Sequence, residues 1–232
     1  MKQFQPIHSY ELLDNGVTDE VTLSFVRDTL ALYRSLYQGM PPIGEWIQAR
    51  VAELVRDWLP GWEVSHGQIA DLDDLTIQSR SWDLIVHRDI PQSWGFPPPA
   101  SPSGPWPLVP KELCCAVIDT KGRYNNPVEY SQQNAFNSLN TCETKQLEFL
   151  GAEIIPMLFI LASNVKPNTV ETKGKNCGLP SFVIAKAIDH KPDNGKVNVE
   201  WILNRGKDNI LPISRFKDTL ILAAKKWELK NN

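Results

Sequence analysis

Cysteine is scarce in this chain of 232 residues: two are adjacent at Cys114 and Cys115, and two stand alone at Cys142 and Cys177. That spacing suits neither a zinc ribbon nor a disulfide framework. Cys114 and Cys115 fall in an apolar run and read as buried thiols, so a reducing cytoplasm is the expected compartment. Histidine is equally sparse, and His8, His66, His87 and His190 lack zinc-ligand spacing. No apolar run approaches the roughly 20 residues needed to span a bilayer, so no membrane partner is expected. The polar segment from Met1 to Val17 carries acids and does not read as a signal peptide. A Gly-rich phosphate loop is missing, which argues against a nucleoside triphosphatase. So is a nucleophile elbow, which leaves a Ser-His-Asp hydrolase without support. Positive charge is not in excess either. Lys and Arg number 24 against 27 Asp and Glu, for a net charge of −3 and a pI near 5.8. This balance counts against binding nucleic acid through bulk charge alone. It leaves room for a local basic surface, and Lys166, Lys173, Lys175, Arg205, Lys207, Arg215 and Lys217 all fall in the last third. An ordinary solvated surface is the other reading of those cations.

What is present is the material of a core. Hydrophobic residues make up 42% of the chain and eight are Trp, which excludes a disordered chain. Periodicity predicts a helix over Thr18–Leu36, capped by Thr18 or Asp19, and a second over Ile43–Leu59, stopped by Pro60-Gly61. Strands are expected at Gly61–Ile69, Ser81–His87, Leu113–Thr120 and Ile154–Ala162. A helix is expected over Pro127–Leu150, interrupted near Asn140. Ser181–Ile188 and Val197–Leu203 read as a strand pair around an Asp-Asn-Gly turn, and Arg215–Leu229 as a closing helix. The stretch from Pro91 to Pro110 holds eight of the 18 prolines and reads as an insertion between two core strands. The segment 163–180 reads as a polar loop. This order implies one domain over 1–232, an α/β sheet with helices on its faces.

Two acids sit inside otherwise apolar strands. Asp83 lies between Trp82 and Leu84-Ile85-Val86, and Asp119 ends Ala116-Val117-Ile118. A buried carboxylate costs several kcal/mol unless it is paired or binds a cation. A divalent cation between two such acids would relieve that cost. Lys121 follows Asp119 by two, and on a strand i and i+2 share a face, so the two would project into one cleft. Carboxylate, water and phosphate oxygens suit Mg²⁺ or Mn²⁺. The implied chemistry is phosphodiester hydrolysis, with Lys121 orienting or activating the attacking water and stabilising charge at phosphorus. The sequence Asp119-Thr-Lys-Gly also suits a strand end entering a turn, with Lys121 in solvent. On the helix over Ile43–Leu59 the apolar stripe is read through Ile43, Ile47, Val51, Leu54 and Trp58. Glu53 then sits at its edge and is the preferred additional metal ligand, whereas Glu45 reads as solvated. An exposed Glu53 paired with Arg50 is the competing reading.

The ordered run Asp83 … Asp119-Thr-Lys121 after a Glu-bearing helix resembles the PD-(D/E)xK nuclease superfamily. More closely it is similar to the NucC-like endonucleases of bacterial defence systems. The similarity runs through Val51-Ala-Glu53 to Leu59-Pro60, Trp82 to Asp89, Val109-Pro110, Cys115 to Lys121, Val128 to Gln132 and Ile155-Pro156-Met-Leu, and so covers roughly residues 44 to 165. It implies a restriction-endonuclease-like central mixed sheet flanked by helices. It also implies a Mg²⁺-dependent (or Mn²⁺-dependent) endonuclease acting on double-stranded DNA, in antiviral defence or restriction. In this reading Asp83 and Asp119 hold the metal, Lys121 assists the water, and Gln132 is a helper near the phosphate. A helix-surface amide is the alternative for Gln132. A homotrimer and a cyclic-oligonucleotide activator are further implications, although no motif here reads such an activator. Asp119 stands where the family usually has glutamate, one methylene longer, which shifts the metal. A catalytically weak nucleic-acid- or nucleotide-binding relative of the same fold stays open as an alternative. So does an interaction module that uses the Pro-rich segment.

Overall fold

The computed structural model describes residues 7–13, 16–35, 42–74, 78–94, 108–124, 147–176, 178–190, 197–206 and 209–231. Its strands are β1 (Ile7–Leu13), β2 (Glu63–Ala70), β3 (Trp82–His87), β4 (Leu108–Pro110), β5 (Cys114–Tyr124), β6 (Ile155–Ser163), β7 (Ser181–His190) and β8 (Val197–Leu203). They form one eight-stranded sheet in the order β1-β8-β7-β6-β5-β3-β2-β4. The central strands β5, β6 and β7 run parallel. β3 is antiparallel to both β2 and β5, and β7 is antiparallel to β8. Among the described residues the sheet is flanked by α1 (Glu20–Ser35), α2 (Pro42–Trp58), α3 (Pro167–Asn176) and α4 (Pro212–Asn231). The expected α/β architecture, a central mixed sheet flanked by helices, is what the structure shows.

Strand alternation sorts the core into two faces. Ala116 and Ile118 of β5 pack with Ile47, Val51 and Val55 of α2, and with Phe25 of α1 and Phe216 of α4. Val117 belongs to the other face, with Ile85, Trp82 and Leu150. Farther along that second face, Leu158 and Ile160 of β6 meet Val170 of α3. Helices α1, α2 and α4 therefore cover one face, and α3 covers part of the opposite one.

Local chemistry explains the ends. Asp19 caps α1, its carboxylate accepting from the Thr22 amide at 2.7 Å. Past α2, Gly61 takes φ +82°, a left-handed conformation that a side chain would resist. Arg88, just after β3, donates to the Gly61 carbonyl at 2.9 Å, lies over the Trp62 ring at 4.3 Å and pairs with Glu228 of α4. That contact ties α4 to the end of β3.

Several expectations change. No element was expected within Met1–Val17, yet β1 forms there and pairs in parallel with the edge of β8. The supposed polar loop over 163–180 contains α3, a ten-residue helix. Its one large buried side chain is Val170, and Gly174 presses so close to β7 that a Cβ there would fall 2.0 Å from Ser181 Oγ. Arg215 of α4 holds it further, donating from Nη2 to both carboxylate oxygens of Glu171 at 2.8 and 2.9 Å. Arg215 is thus engaged internally and drops out of the basic set proposed for a nucleic-acid surface. The Pro-rich insertion ends in β4, which pairs with β2, while residues 95–107 lie outside the described residues. Most of the helix expected over Pro127–Leu150 also lies outside them, apart from its last turn at 147–150.

Candidate functional site

The site is built where β3 parts from β5. Leu84, Ile85 and Val86 pair regularly with Ile118, Val117 and Ala116, and the pairing stops at Leu84. On its other edge β3 carries an extra residue: Ser65 of β2 pairs with Ile85, but Gly67 pairs with Trp82. Asp83 lies within this bulge, a device that commonly re-aims a side chain beside functional sites. Its Oδ2 accepts from the Thr120 amide at 2.7 Å and from Thr120 Oγ1 at 3.1 Å. The carboxylate thus replaces the strand acceptor that β5 loses as β3 turns away. His66 of β2 backs the same spot, its Nδ1 3.0 Å from the Asp83 carbonyl oxygen.

Asp119 and Lys121 share the face of Val117, because β5 pairs with β6 in unbroken register from Ala116 to Tyr124. They stand beside Leu158 and Ile160 of β6 on that face. The expected parity of the acid and the lysine is therefore present. The Asp119 side chain is 8% exposed, so its charge requires a partner. Arg80 supplies one, with Nη2 2.5 Å from Asp119 Oδ2. Its guanidinium lies over the Trp82 ring at 4.1 Å. The backbone beneath Arg80 is pinned to β2: Ser79 donates to the Ile69 carbonyl at 2.8 Å, and the Ile69 amide donates to Ser79 Oγ at 2.9 Å. Lys121 is half-buried and makes no ion pair among the described residues.

Glu53 does not join this cluster. The buried positions of α2 are Ile47, Val51, Ala52, Val55 and Leu59, a stripe rotated from the one drawn through Leu54 and Trp58. At 3.6 residues per turn Glu53 lies roughly opposite its centre, and Glu45 nearer its edge. Glu53 is exposed and bonds Arg50 at 2.5 Å. The helix also covers the sheet face opposite to that of Asp119 and Lys121. The placement of Glu53 at the core edge is corrected accordingly. Among the described residues no group of three or more His, Cys, Asp or Glu gathers as a metal set. Gln132 lies outside the described residues.

The carboxylates present nonetheless fit a two-acid site for a hard divalent cation. Asp83 and Asp119 come from adjacent strands, and their hydrogen bonds engage Oδ2 of each, leaving both Oδ1 atoms uncommitted among the described residues. Two carboxylate oxygens, completed by water and phosphate oxygens, make a set that Mg²⁺ accepts.

Sequence reasoning missed Arg80 and Thr120. Arg80 had no local signal, because its partner is Asp119, distant in the sequence, and not Asp83, the acid that follows it closely. Thr120 carried none either, because its main-chain donor matters only where the strands part. His87, at the end of β3, is buried. Its Nδ1 faces the Arg88 carbonyl at 2.7 Å and must carry the proton, so Nε2 accepts from Ser65 Oγ at 2.8 Å. Burial lowers its pKa from 6.5.

No protein-family model matches the chain, and no curated protein is similar to it in sequence. Solved structures are similar in fold. NucC of P. aeruginosa ATCC27853 in its cAAA-bound form superposes with a TM-score of 0.55 at 11% identity, covering 92% of this chain and 97% of that one. NucC of E. coli MS115-1, also cAAA-bound, gives 0.50 at 12% identity, covering 95% and 99%. At such identities the likeness is one of fold.

Proposed function

We propose that this chain, built on a NucC-like fold, is a metal-dependent phosphodiesterase that cuts double-stranded DNA as a defence endonuclease. The observation that carries the reading is the juxtaposition of Asp119 and Lys121 on one sheet face, with Asp83 at the adjoining strand split. Asp83 and Asp119 would hold the cation through the carboxylate oxygens that carry no hydrogen bond among the described residues. When bound, Mg²⁺ or Mn²⁺ supplies Lewis acidity toward a phosphoryl oxygen and a more acidic water. Lys121 would orient that water by donating a hydrogen bond to its oxygen and would stabilise charge developing at phosphorus. Thr120 fixes the rotamer of Asp83 through two hydrogen bonds. Gln132 is assigned the helper role near the phosphate.

The direct test is digestion of plasmid DNA with and without Mg²⁺, using Asp119→Ala and Lys121→Ala as controls. Mg²⁺-dependent nicking or linearisation, lost in both variants, is expected. Intact DNA under every condition, with no Mn²⁺ binding, overturns the reading. The fold neighbours are bound to cAAA, so cAAA is the first activator to add. A homotrimer is the proposed assembly, and the molar mass in solution tests it.

A second reading has one observation in its favour. Arg80 already neutralises Asp119, as expected of a relative that binds nucleic acid or nucleotide without turnover. That reading requires DNA binding that is indifferent to Mg²⁺ and to Asp119→Asn.

A further inference from the structure

Among the described residues, Arg80 is the charged group in contact with the proposed metal acids that the reading above leaves without a task. It is not a loose surface cation. Its backbone is pinned to β2 through Ser79, and its guanidinium is stacked on the buried Trp82 ring. Only then does it reach Asp119 Oδ2, at 2.5 Å. Its side chain is 31% exposed, so it is not sealed from solvent. A planar guanidinium held on an aromatic platform can be handed from a carboxylate to a phosphate with little loss of order, because both are bidentate oxyanions of similar bite.

Resting on the nuclease reading, we propose that Arg80 couples metal binding to DNA binding. With no DNA present it occupies Asp119 as an internal counter-ion and holds down the affinity of the site for divalent cations. When a phosphodiester enters, Arg80 moves its hydrogen bond from Asp119 to a non-bridging phosphate oxygen, and Asp119 becomes available to the metal. No bond is made or broken covalently in this exchange. The physical ground is charge: a guanidinium on Asp119 cancels the negative charge that a cation needs, and an anionic phosphate draws the guanidinium off. By linkage, the metal must tighten DNA binding by the factor by which DNA tightens metal binding. The arrangement keeps the site weakly metallated until its substrate is in place.

The test measures Mn²⁺ affinity of the full chain without DNA, by the loss of the free Mn²⁺ spin-resonance signal. It then measures binding of a short duplex in Ca²⁺ by fluorescence anisotropy. Arg80→Gln should bind Mn²⁺ about tenfold more tightly than the wild type in the absence of DNA, the equivalent of losing one charge-assisted hydrogen bond. The same variant should lose most of the mutual enhancement between metal and duplex. Unchanged or weaker Mn²⁺ binding by a folded Arg80→Gln overturns the proposal, since Arg80 would then only orient Asp119. Should Arg80→Gln fail to fold, the wild type carries the test: equal Mn²⁺ affinity with and without duplex overturns the coupling. Asp119→Asn separates the two ideas. If it leaves Mn²⁺ binding intact, the metal site itself is wrong. If it abolishes binding while Arg80→Gln changes nothing, only the coupling is wrong.

Discussion

Asp83 is asked to do two things, and a pair of substitutions separates them. Its Oδ2 accepts from the Thr120 amide and hydroxyl, and Thr120 is only 6% exposed. Asp83→Ala strands that amide between diverging strands. An unsatisfied buried donor costs about 1–3 kcal/mol, and a hydrogen bond to an ionised acceptor is worth about 1.5–3 kcal/mol. Asp83 itself is half-buried, so water can partly replace it, and a net loss of about 2–3 kcal/mol is expected. Asp83→Asn keeps an oxygen in place and sacrifices only the charge assistance, so it should lose roughly 1 kcal/mol or less. Urea denaturation followed by Trp fluorescence measures both. DNA cleavage in Mg²⁺ should instead fall about 100-fold or more in both variants, since a neutral amide is a poor ligand for a hard dication. An Asn variant as unstable as the Ala variant would mean that the charge is structural. An Asn variant that cuts DNA at the wild-type rate would remove Asp83 from the metal site altogether.

Other expectations are simpler. Glu53→Gln should leave cleavage and Mn²⁺ affinity within about twofold of the wild type, because an exposed ion pair to Arg50 contributes at most about 1 kcal/mol; a collapse of metal binding would restore Glu53 to the site. Gly174→Ala gains about 1 kcal/mol of helix propensity. It also forces a Cβ to within 2.0 Å of Ser181 Oγ and 2.5 Å of the Leu179 carbonyl oxygen, so a net destabilisation of about 1–2 kcal/mol should appear in urea titrations. For His87 the folded pKa is depressed by burial below its value of 6.5. The unfolded chain therefore binds the proton first as pH falls. Stability should be full above about pH 6.5 and decline below it until the folded pKa is passed, and His87→Gln should flatten that decline. A pH-independent urea midpoint between pH 7 and pH 5 would contradict this.

The sheet was legible where burial writes itself into the sequence. Strands β3, β5 and β6 are short apolar runs because both of their faces are covered, and α1, α2 and α4 show helical spacing because only one face is. β1 was not, since an edge strand needs no such run and takes its order from main-chain pairing with β8. α3 was missed for a related reason. Its segment Pro167–Asn176 offers one large apolar anchor, Val170, and its helicity depends on the close approach of Gly174 to β7 and on a salt bridge from the distant Arg215. Those are tertiary facts with no local signature. The misplacement of Glu53 had another origin. The stripe was drawn through the bulky residues Leu54 and Trp58, which only border the core, whereas the smaller Ala52 and Val55 are the ones buried in it.

The site teaches where the inference from buried acids to metal has force. Burial of Asp119 demands a counter-charge but does not name it, and Arg80 meets the demand without any metal. What burial leaves undecided, a count of charges narrows. Asp83 and Asp119 contribute two negative charges, and Arg80 and Lys121 two positive ones, so the cluster is formally neutral at rest. A structural ion-pair network would need nothing more, yet Lys121 stands half-buried beside the pair with no carboxylate of its own among the described residues. Adding a divalent cation would raise the sum to +2. Such an excess is tolerable only with anions in place, and a phosphodiester backbone brings a charge at the cleaved position and others on either side. On this count the cluster is matched to a polyanion together with a metal better than to either one alone, which is the condition under which Arg80 would leave Asp119.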